Sequence, residues 1–425
     1  MADGSWADSI FNATDAIMAD ASPQANARVD ALSASCPNVA LNVGIFFDGT
    51  FNNAANVTAF NMKQTDEMGG SYNNFHTNVY RLSLLYFGYE DMVRAPCGGP
   101  DTVYHSAYVE GIGTEVGGAD SAYTGATGMG GSGLEEKLQK GTAVLRSFIN
   151  RYGGIEHLRS VQVDVFGFSR GAATARVFCN AVAGMGQPKI KVRFLGMYDT
   201  VGSFGIPGNA KEMDPVTEVA SAYCSLYRLL TPTCWLVPSE SMIDLNITKE
   251  SAEVVYHVVA DDEFRLFFPS TSALPGHATE VLMPGCHGDV AGCTPGVGVT
   301  ERHIDPPQFL LDRGFFENDS VLTINRHLFN EGDKVYIRNV ETGLAAPSFN
   351  GMMHQAIQAG VPLRERYMDV VRDLTDLDGA MRSGSSLPEP RRRQIAGRYA
   401  HSSHGGVGSN MLAPNGRRES YSNNP

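Results

Sequence analysis

The stretch VDVFGFSRGAATARVF, residues 163–178, constrains the fold of this chain more than any other. An apolar, β-branched run stops at Gly-Phe-Ser-Arg-Gly, and an alanine-rich run of good helix formers begins at once. A strand must therefore turn into a helix within a few residues, with Ser169 at the bend. Such a bend drives the residues two before and two after the serine against neighbouring backbone, and glycines at Gly167 and Gly171 leave the room. Ser169 is then held at the tip, with the Arg170 N–H aimed at the place where an oxyanion would form. A serine hydroxyl becomes a nucleophile only beside a base and such donors, so the motif in this setting predicts one. A structural serine in a tight turn is the competing reading.

Other strand-like runs surround this junction. They are VALNVGIFFDG (39–49), DTVYHSAYVEGIGTE (101–115), SVQVDVFGFS (160–169), KVRFLGMYDT (191–200), EVVYHVVADDEF (253–264) and TEVLMPGCHGDV (279–290). Helical spacing appears at 74–88 and 134–151. Most of the strands are nearly continuously apolar, which suits a sheet covered by helices on both faces. The expected fold is a three-layer α/β domain with a mostly parallel sheet, flanking helices and long inserted loops. No internal repeat is visible.

The chemistry of Ser169 asks for a base and an acid later in the chain, in the order Ser, Asp, His. Of the eleven histidines, His287 is best placed, directly after EVLMPG and among Gly285, Gly288 and Gly292, which let a loop approach closely. Two aspartates end strands at the right distance: Asp199 after FLGMY, and Asp262 one strand later, beside Asp261. Either suits the acid that orients the imidazole, and Asp289 suits a partner of the His287 loop. A second oxyanion donor is expected from FFDGTFNN, at the backbone N–H of Gly49 or Thr50, with Asp48 bonding backbone in the same turn. The Arg170 side chain suits either a lipid phosphate or a structural salt bridge.

Charge and composition bound the rest. A net charge of −13 over 425 residues excludes a general nucleic-acid binder, which needs a basic footprint. Seven cysteines without CxxC spacing make neither a zinc pattern nor a compact disulfide framework, the nearest pairs being Cys224–Cys234 and Cys286–Cys293. The first residues show no basic, apolar leader, and no run approaches the roughly 20 apolar residues of a spanning helix, so synthesis in the cytoplasm without a signal peptide is expected. Residues 1–37 read as an appendage and 38–380 as the catalytic domain. Within that domain, the apolar stretch 215–248 suits a lid or membrane-docking surface, or else ordinary packing. Residues 381–425 carry seven arginines and two acids and read as a basic, flexible C-terminal segment.

Taken together, IFFDGTFNN, EGIGT, GFSRGAATAR, FLGMYDTVGS, ADDEFRLFFP and PGCHGDVAG occur in an order that resembles the type VI secretion lipase effectors of the first lipase-effector family, α/β-hydrolase-like phospholipases marked by GFSRG. The resemblance covers about residues 41–293; Ala291 and Cys293 depart from it where the family's His loop usually carries glycines. It implies Ser169 as nucleophile, Asp199 as acid and His287 as base. The implied reaction is hydrolysis of acyl esters of membrane glycerophospholipids, of A1 or A2 type, needing no cofactor for turnover and leaving Ca²⁺ dependence open. The implied biology is an antibacterial toxin carried by a type VI spike or tube component, acting in the target cell's periplasm or membrane and neutralised by a cognate immunity protein. Two further readings keep the fold: an esterase of soluble substrates with the same triad, and a catalytically inactive adaptor of a secretion particle.

Overall fold

A computed structural model of the chain describes residues 38–63, 70–96, 98–204, 243–304, 306–316, 321–324, 333–403, 412 and 416–424. The appendage 1–37 and the lid candidate 215–248, apart from its last residues 243–248, lie outside these.

Eight strands precede residue 290: β1 (Val39–Phe47), β2 (Val93–Arg94), β3 (Pro100–Val109), β4 (Leu158–Phe168), β5 (Ile190–Tyr198), β6 (Val254–Ala260), β7 (Ser270–Thr271) and β8 (Thr279–Met283). Seven of them form one sheet in the order β2-β3-β1-β4-β5-β6-β8. Every neighbouring pair is parallel except β2 with β3. The helices are α1 (Ala54–Asn61), α2 (Asn78–Ser83), α3 (Ala122–Thr127), α4 (Leu134–Arg151), α5 (Arg170–Gly184), α6 (His287–Ala291), α7 (Gln308–Asp312), α8 (Ala345–Gln358), α9 (Thr375–Arg382) and α10 (Glu389–Tyr399). A three-stranded antiparallel sheet, in the order β10 (Val321–Ile324), β11 (Asp333–Val340), β9 (Val299–Ile304), stands apart from the main one, and β12 (Ser420–Tyr421) pairs with β7.

The apolar runs are apolar because both faces of the sheet are covered. On one face Phe46, Phe166, Phe194 and Tyr256 pack with Phe349 and Met352 of α8, and Phe46 stacks on Phe166 with centroids 4.8 Å apart. On the other, Val43, Ile45, Val163, Val165 and Leu195 meet Ala172, Ala175 and Phe178 of α5 and Leu145 of α4. The mostly parallel α/β architecture expected from the sequence is the one observed.

Three expectations need correction. The helix expected over 74–88 is confined to α2, because Thr77 caps it, its side chain accepting from the Tyr80 N–H. The run 279–290 is strand only to Met283; Pro284 and Gly285, whose φ is +122°, end it, and the residues around His287 form α6. The segment 381–425 is not a flexible tail in its described residues. Ile395, Ala396 and Tyr399 of α10 are buried in the same core as α8. The arginines that suggested solvation are spent on acids of the body: Arg391 with Asp376 at 2.8 Å, Arg392 with Asp261 at 2.7 Å and Arg398 with Glu341 at 2.6 Å.

Because Ile395 is 1% exposed, Ile395→Ala is expected to cost about 2–5 kcal/mol of stability. Chemical denaturation followed by circular dichroism measures it, and a solvated tail would show no loss.

Candidate active site

The turn after β4 is as tight as its sequence demands. Ser169 has φ 58° and ψ −129°, a conformation that a residue with a Cβ holds only when its surroundings force it. A Cβ on Gly167 would lie 2.5 Å from the Ala172 Cα, and one on Gly171 2.2 Å from the Asp48 carbonyl oxygen. The bend is thus clamped between its own helix and the end of β1. Ser169 donates its N–H to the Tyr198 carbonyl at 3.0 Å and accepts from the Val201 N–H at 3.3 Å, which ties it to the chain on both sides of Asp199. Its residue surface is 4% exposed. Arg170 and Gly171 open α5, and first-turn amides have no acceptor within their own helix.

Asp199 follows β5, also with positive φ, 40°. Its Oδ2 lies 2.6 Å from His287 Nδ1, and its Oδ1 accepts from the Ala260 N–H at 3.1 Å. Arg418 grips both oxygens, Nη1 on Oδ1 at 2.7 Å and Nη2 on Oδ2 at 2.9 Å. Burial pushes this carboxyl's pKa up, but Arg418 and His287 outweigh it and hold Asp199 far below the ordinary carboxylate value. The His287 ring rests against Phe168, the residue before the serine, with centroids 4.5 Å apart, and meets Phe268 edge-on at 5.2 Å. Burial lowers the His287 pKa, and the bond to Asp199 returns only part of the loss. The imidazole is therefore neutral at neutral pH. With Asp199 ionised, Nδ1 carries the proton and Nε2 is the basic nitrogen.

The alternative acid, Asp262, has different work. Its carboxylate accepts the Gly285 N–H at 2.9 Å and pairs with Arg313 at 3.2 Å. It shapes the approach to His287 without bonding the imidazole, and burial pushes its pKa up to about 7. Of the two aspartates left open by the sequence, Asp199 is the one beside the ring. Asp289 accepts from the Cys286 N–H at 2.9 Å and holds His401 Nδ1 at 2.6 Å, bracing α6.

The loop after β1 reaches the same place. Its Gly49 N–H is given to Asp48 Oδ1 at 2.7 Å, so of the two expected donors the Thr50 amide is the one not turned to that carboxylate. Asp48 also accepts from Thr77 Oγ1 at 2.8 Å and Tyr108 OH at 2.6 Å, and burial pushes its pKa up to about 6. Among the described residues the Arg170 side chain makes no salt bridge, the structural role weighed for it. Its Nε donates to Thr50 Oγ1 at 2.9 Å, and its guanidinium also bonds the carbonyls of Ala126 and Gly125. It locks the Thr50 loop to the turn.

Sequence reasoning missed Arg418, Glu263 and His401. Glu263, paired with Arg265 at 2.8 Å, accepts the His287 N–H at 3.3 Å. Its place in ADDEF beside a candidate acid was the available signal; Arg418 gave none. Cys286 and Cys293 are free thiols, so that nearest pair is not joined, while Cys224 and Cys234 lie outside the described residues. Among the described residues, no three His, Cys, Asp or Glu side chains gather as a metal site, and no helix is long and apolar enough to cross a membrane.

Residues 180–304 match the family model described as "T6SS, Phospholipase effector Tle1-like, catalytic domain", a span that includes Asp199, Asp262 and His287 and begins after Ser169. No curated protein matches the chain in sequence. Among solved structures, the fold is similar to that of the Tle1 effector bound to the VgrG spike of the type VI secretion system, at 20% identity and TM-score 0.56, covering 91% of this chain and 94% of that one. An uncharacterized protein from Pseudomonas aeruginosa is similar at 18% identity and TM-score 0.45, covering 87% of this chain and 54% of that one.

The clamp on the turn is testable without any assay of function. Gly171→Ala puts a methyl 2.2 Å from a backbone oxygen, and overpacking of this kind is expected to cost about 1–3 kcal/mol. Thermal and denaturant unfolding check it.

Proposed function

We propose that this chain, whose residues 180–304 match the Tle1-like type VI secretion phospholipase effector catalytic-domain model, is a phospholipase effector that cleaves acyl esters of membrane glycerophospholipids with Ser169, His287 and Asp199. One observation carries the reading most: an imidazole bonded to a buried carboxylate at 2.6 Å, against the residue that precedes a strained serine.

The steps follow from the residues. Ser169 Oγ attacks the acyl carbonyl as His287 Nε2 takes its proton. Asp199 holds the imidazole in the tautomer with Nδ1 protonated and stabilises the imidazolium that forms. The oxyanion is received by the N–H groups of Arg170 and Thr50, the Gly49 amide being engaged elsewhere. Collapse expels the lysolipid oxygen, which His287 protonates. Water, activated by the same imidazole, then releases the fatty acid from Ser169. Whether the bond cut is at the first or second glycerol position is decided by product analysis.

The effector reading extends to partners. A spike protein of the secretion apparatus is the proposed carrier, consistent with the spike-bound relative of the same fold. A cognate immunity protein is the proposed guard, and the target cell's periplasmic membrane surface the proposed place of action. The reading is supported by the family match and does not need the unassigned segments.

Four measurements test it. Ser169→Ala is expected to abolish fatty-acid release from vesicles and labelling by a fluorophosphonate. Equal release by both proteins sinks the mechanism, while activity confined to short soluble esters favours the esterase reading. Asp199→Asn is expected to lower kcat by about 10³–10⁴-fold, because the tautomer inverts. Asp262→Asn, away from the imidazole, is expected to stay within about tenfold of wild type. The sign of the pH effect follows from His287: its pKa lies below the ordinary 6.5, so the base stays deprotonated into mildly acid solution. The acid limb of kcat/KM is expected below pH 6.5, read from a pH–rate profile.

A further inference from the structure

The residue that grips Asp199 hardest belongs to the last stretch of the chain. Arg418 lies 219 positions beyond Asp199, with a side chain 9% exposed, and its Nε also donates to the Phe268 carbonyl. Its neighbours are pinned on the same side of the molecule. The Ser270 N–H donates to the Glu419 carbonyl at 2.8 Å and the Ser272 N–H to the Tyr421 carbonyl at 2.9 Å, the bonds of β12 to β7. Asn423, 1% exposed, accepts the Ile247 N–H at 2.8 Å and donates to the carbonyls of Ile247 and Pro275, each at 3.0 Å. Residues 416–424 are thus tied to the domain by the β12–β7 pair and by Asn423, and Arg418, just before the first of these, reaches Asp199.

We propose that residues 416–424 are a strap that completes the active site, in which Arg418 is a positioning residue: its guanidinium fork fixes the plane of the Asp199 carboxylate and, through it, the His287 imidazole that serves Ser169. This rests on the triad reading above. The fork geometry matters because two parallel N–H donors define a plane, whereas an ammonium is a point charge that leaves the carboxylate free to turn. Without Arg418, Asp199 keeps the Ala260 N–H and the imidazole, contacts that fix it less fully.

The clamp also has an electrostatic consequence. The charged groups that face His287 are Asp199 from the end of β5 and Glu263 and Arg265 from the segment after β6, with Arg418 of the strap bonded to the far side of Asp199. Arg418 opposes the field of Asp199, so the imidazolium gains less from its partner than an unopposed carboxylate would give. Removing the guanidinium strengthens that attraction and raises the proton affinity of His287.

The experiment uses the full chain, with vesicles of phosphatidylethanolamine and phosphatidylglycerol and, in parallel, a soluble p-nitrophenyl ester. Wild type, Ser169→Ala, Arg418→Gln and Arg418→Lys are compared from pH 5 to 9, with folding checked by circular dichroism. Arg418→Gln is expected to lower kcat at least tenfold with KM within about threefold, and to move the acid limb upward by half a pH unit or more. Arg418→Lys, which restores the charge without the fork, is expected to return the acid limb toward wild type and to recover kcat only in part. Wild-type kcat and an unmoved acid limb in both folded Arg418 variants would overturn the inference while leaving the triad standing. Should Arg418→Gln not fold, Arg418→Lys decides alone, wild-type kcat being the adverse result. Turnover that survives Ser169→Ala removes the triad reading, and the strap's role falls with it.

Discussion

A negative charge with no access to water sits at the centre of this molecule, and its neutralisation is the condition on which the site depends. Asp199 is 0% exposed, and an isolated carboxylate there would take up a proton rather than bear the cost of desolvation. It stays ionised because an arginine fork, an imidazole and a backbone N–H converge on its two oxygens. Each donor comes from a different part of the fold: the strap near residue 418, α6, and the end of β6. The parallel sheet makes this possible by delivering the carboxyl ends of β4, β5 and β6 side by side, the usual place for a site in an open α/β sheet.

The same geometry sorts the site's carboxylates. Asp48, Asp262, Glu263 and Asp289 each accept a loop N–H, from Gly49, Gly285, His287 and Cys286 respectively. They act as staples for backbone that approaches the serine. Asp199 also accepts a backbone amide, but it alone in this set holds the His287 ring. The electrostatics divide in parallel: burial lifts Asp262 to about 7 and Asp48 to about 6, whereas Asp199 is driven the other way by Arg418 and His287. Asp262 differs from Asp199 in position too, its carboxylate held by the Gly285 N–H and Arg313 rather than by the ring.

How much of this was legible beforehand depends on the range over which each signal acts. The turn at Ser169 was readable because strand, glycines, serine and helix lie within sixteen residues, and each enforces the next. The sheet was readable because strands buried on both faces become continuous apolar runs. Asp199 and Asp262 could not be separated from the residues alone, since both end apolar strands; only the strand order places β5 directly beside the serine strand, with β6 one position further out. The fate of the Gly49 amide was hidden for a related reason. Whether Asp48 turns back on its own loop is settled by Thr77 and Tyr108, which come from elsewhere in the chain.

The C-terminal segment was misread by an argument that is usually sound. Seven arginines against two acids suggest a solvated tail when only local sequence is weighed. Yet the remainder of the chain carries a surplus of acid, and a basic segment attached to an acidic body lowers its electrostatic energy by docking. Arg391, Arg392, Arg398 and Arg418 all do so, on Asp376, Asp261, Glu341 and Asp199. Two of these pairs, Arg391–Asp376 and Arg398–Glu341, are exposed or half-buried and contribute little each, and Arg392–Asp261 is more enclosed. The fourth is buried and bidentate, and there the guanidinium joins the imidazole and the Ala260 N–H in keeping a charge in place that the interior would otherwise expel. Charge asymmetry between the ends of a chain is therefore evidence about its own closure before it is evidence about a partner.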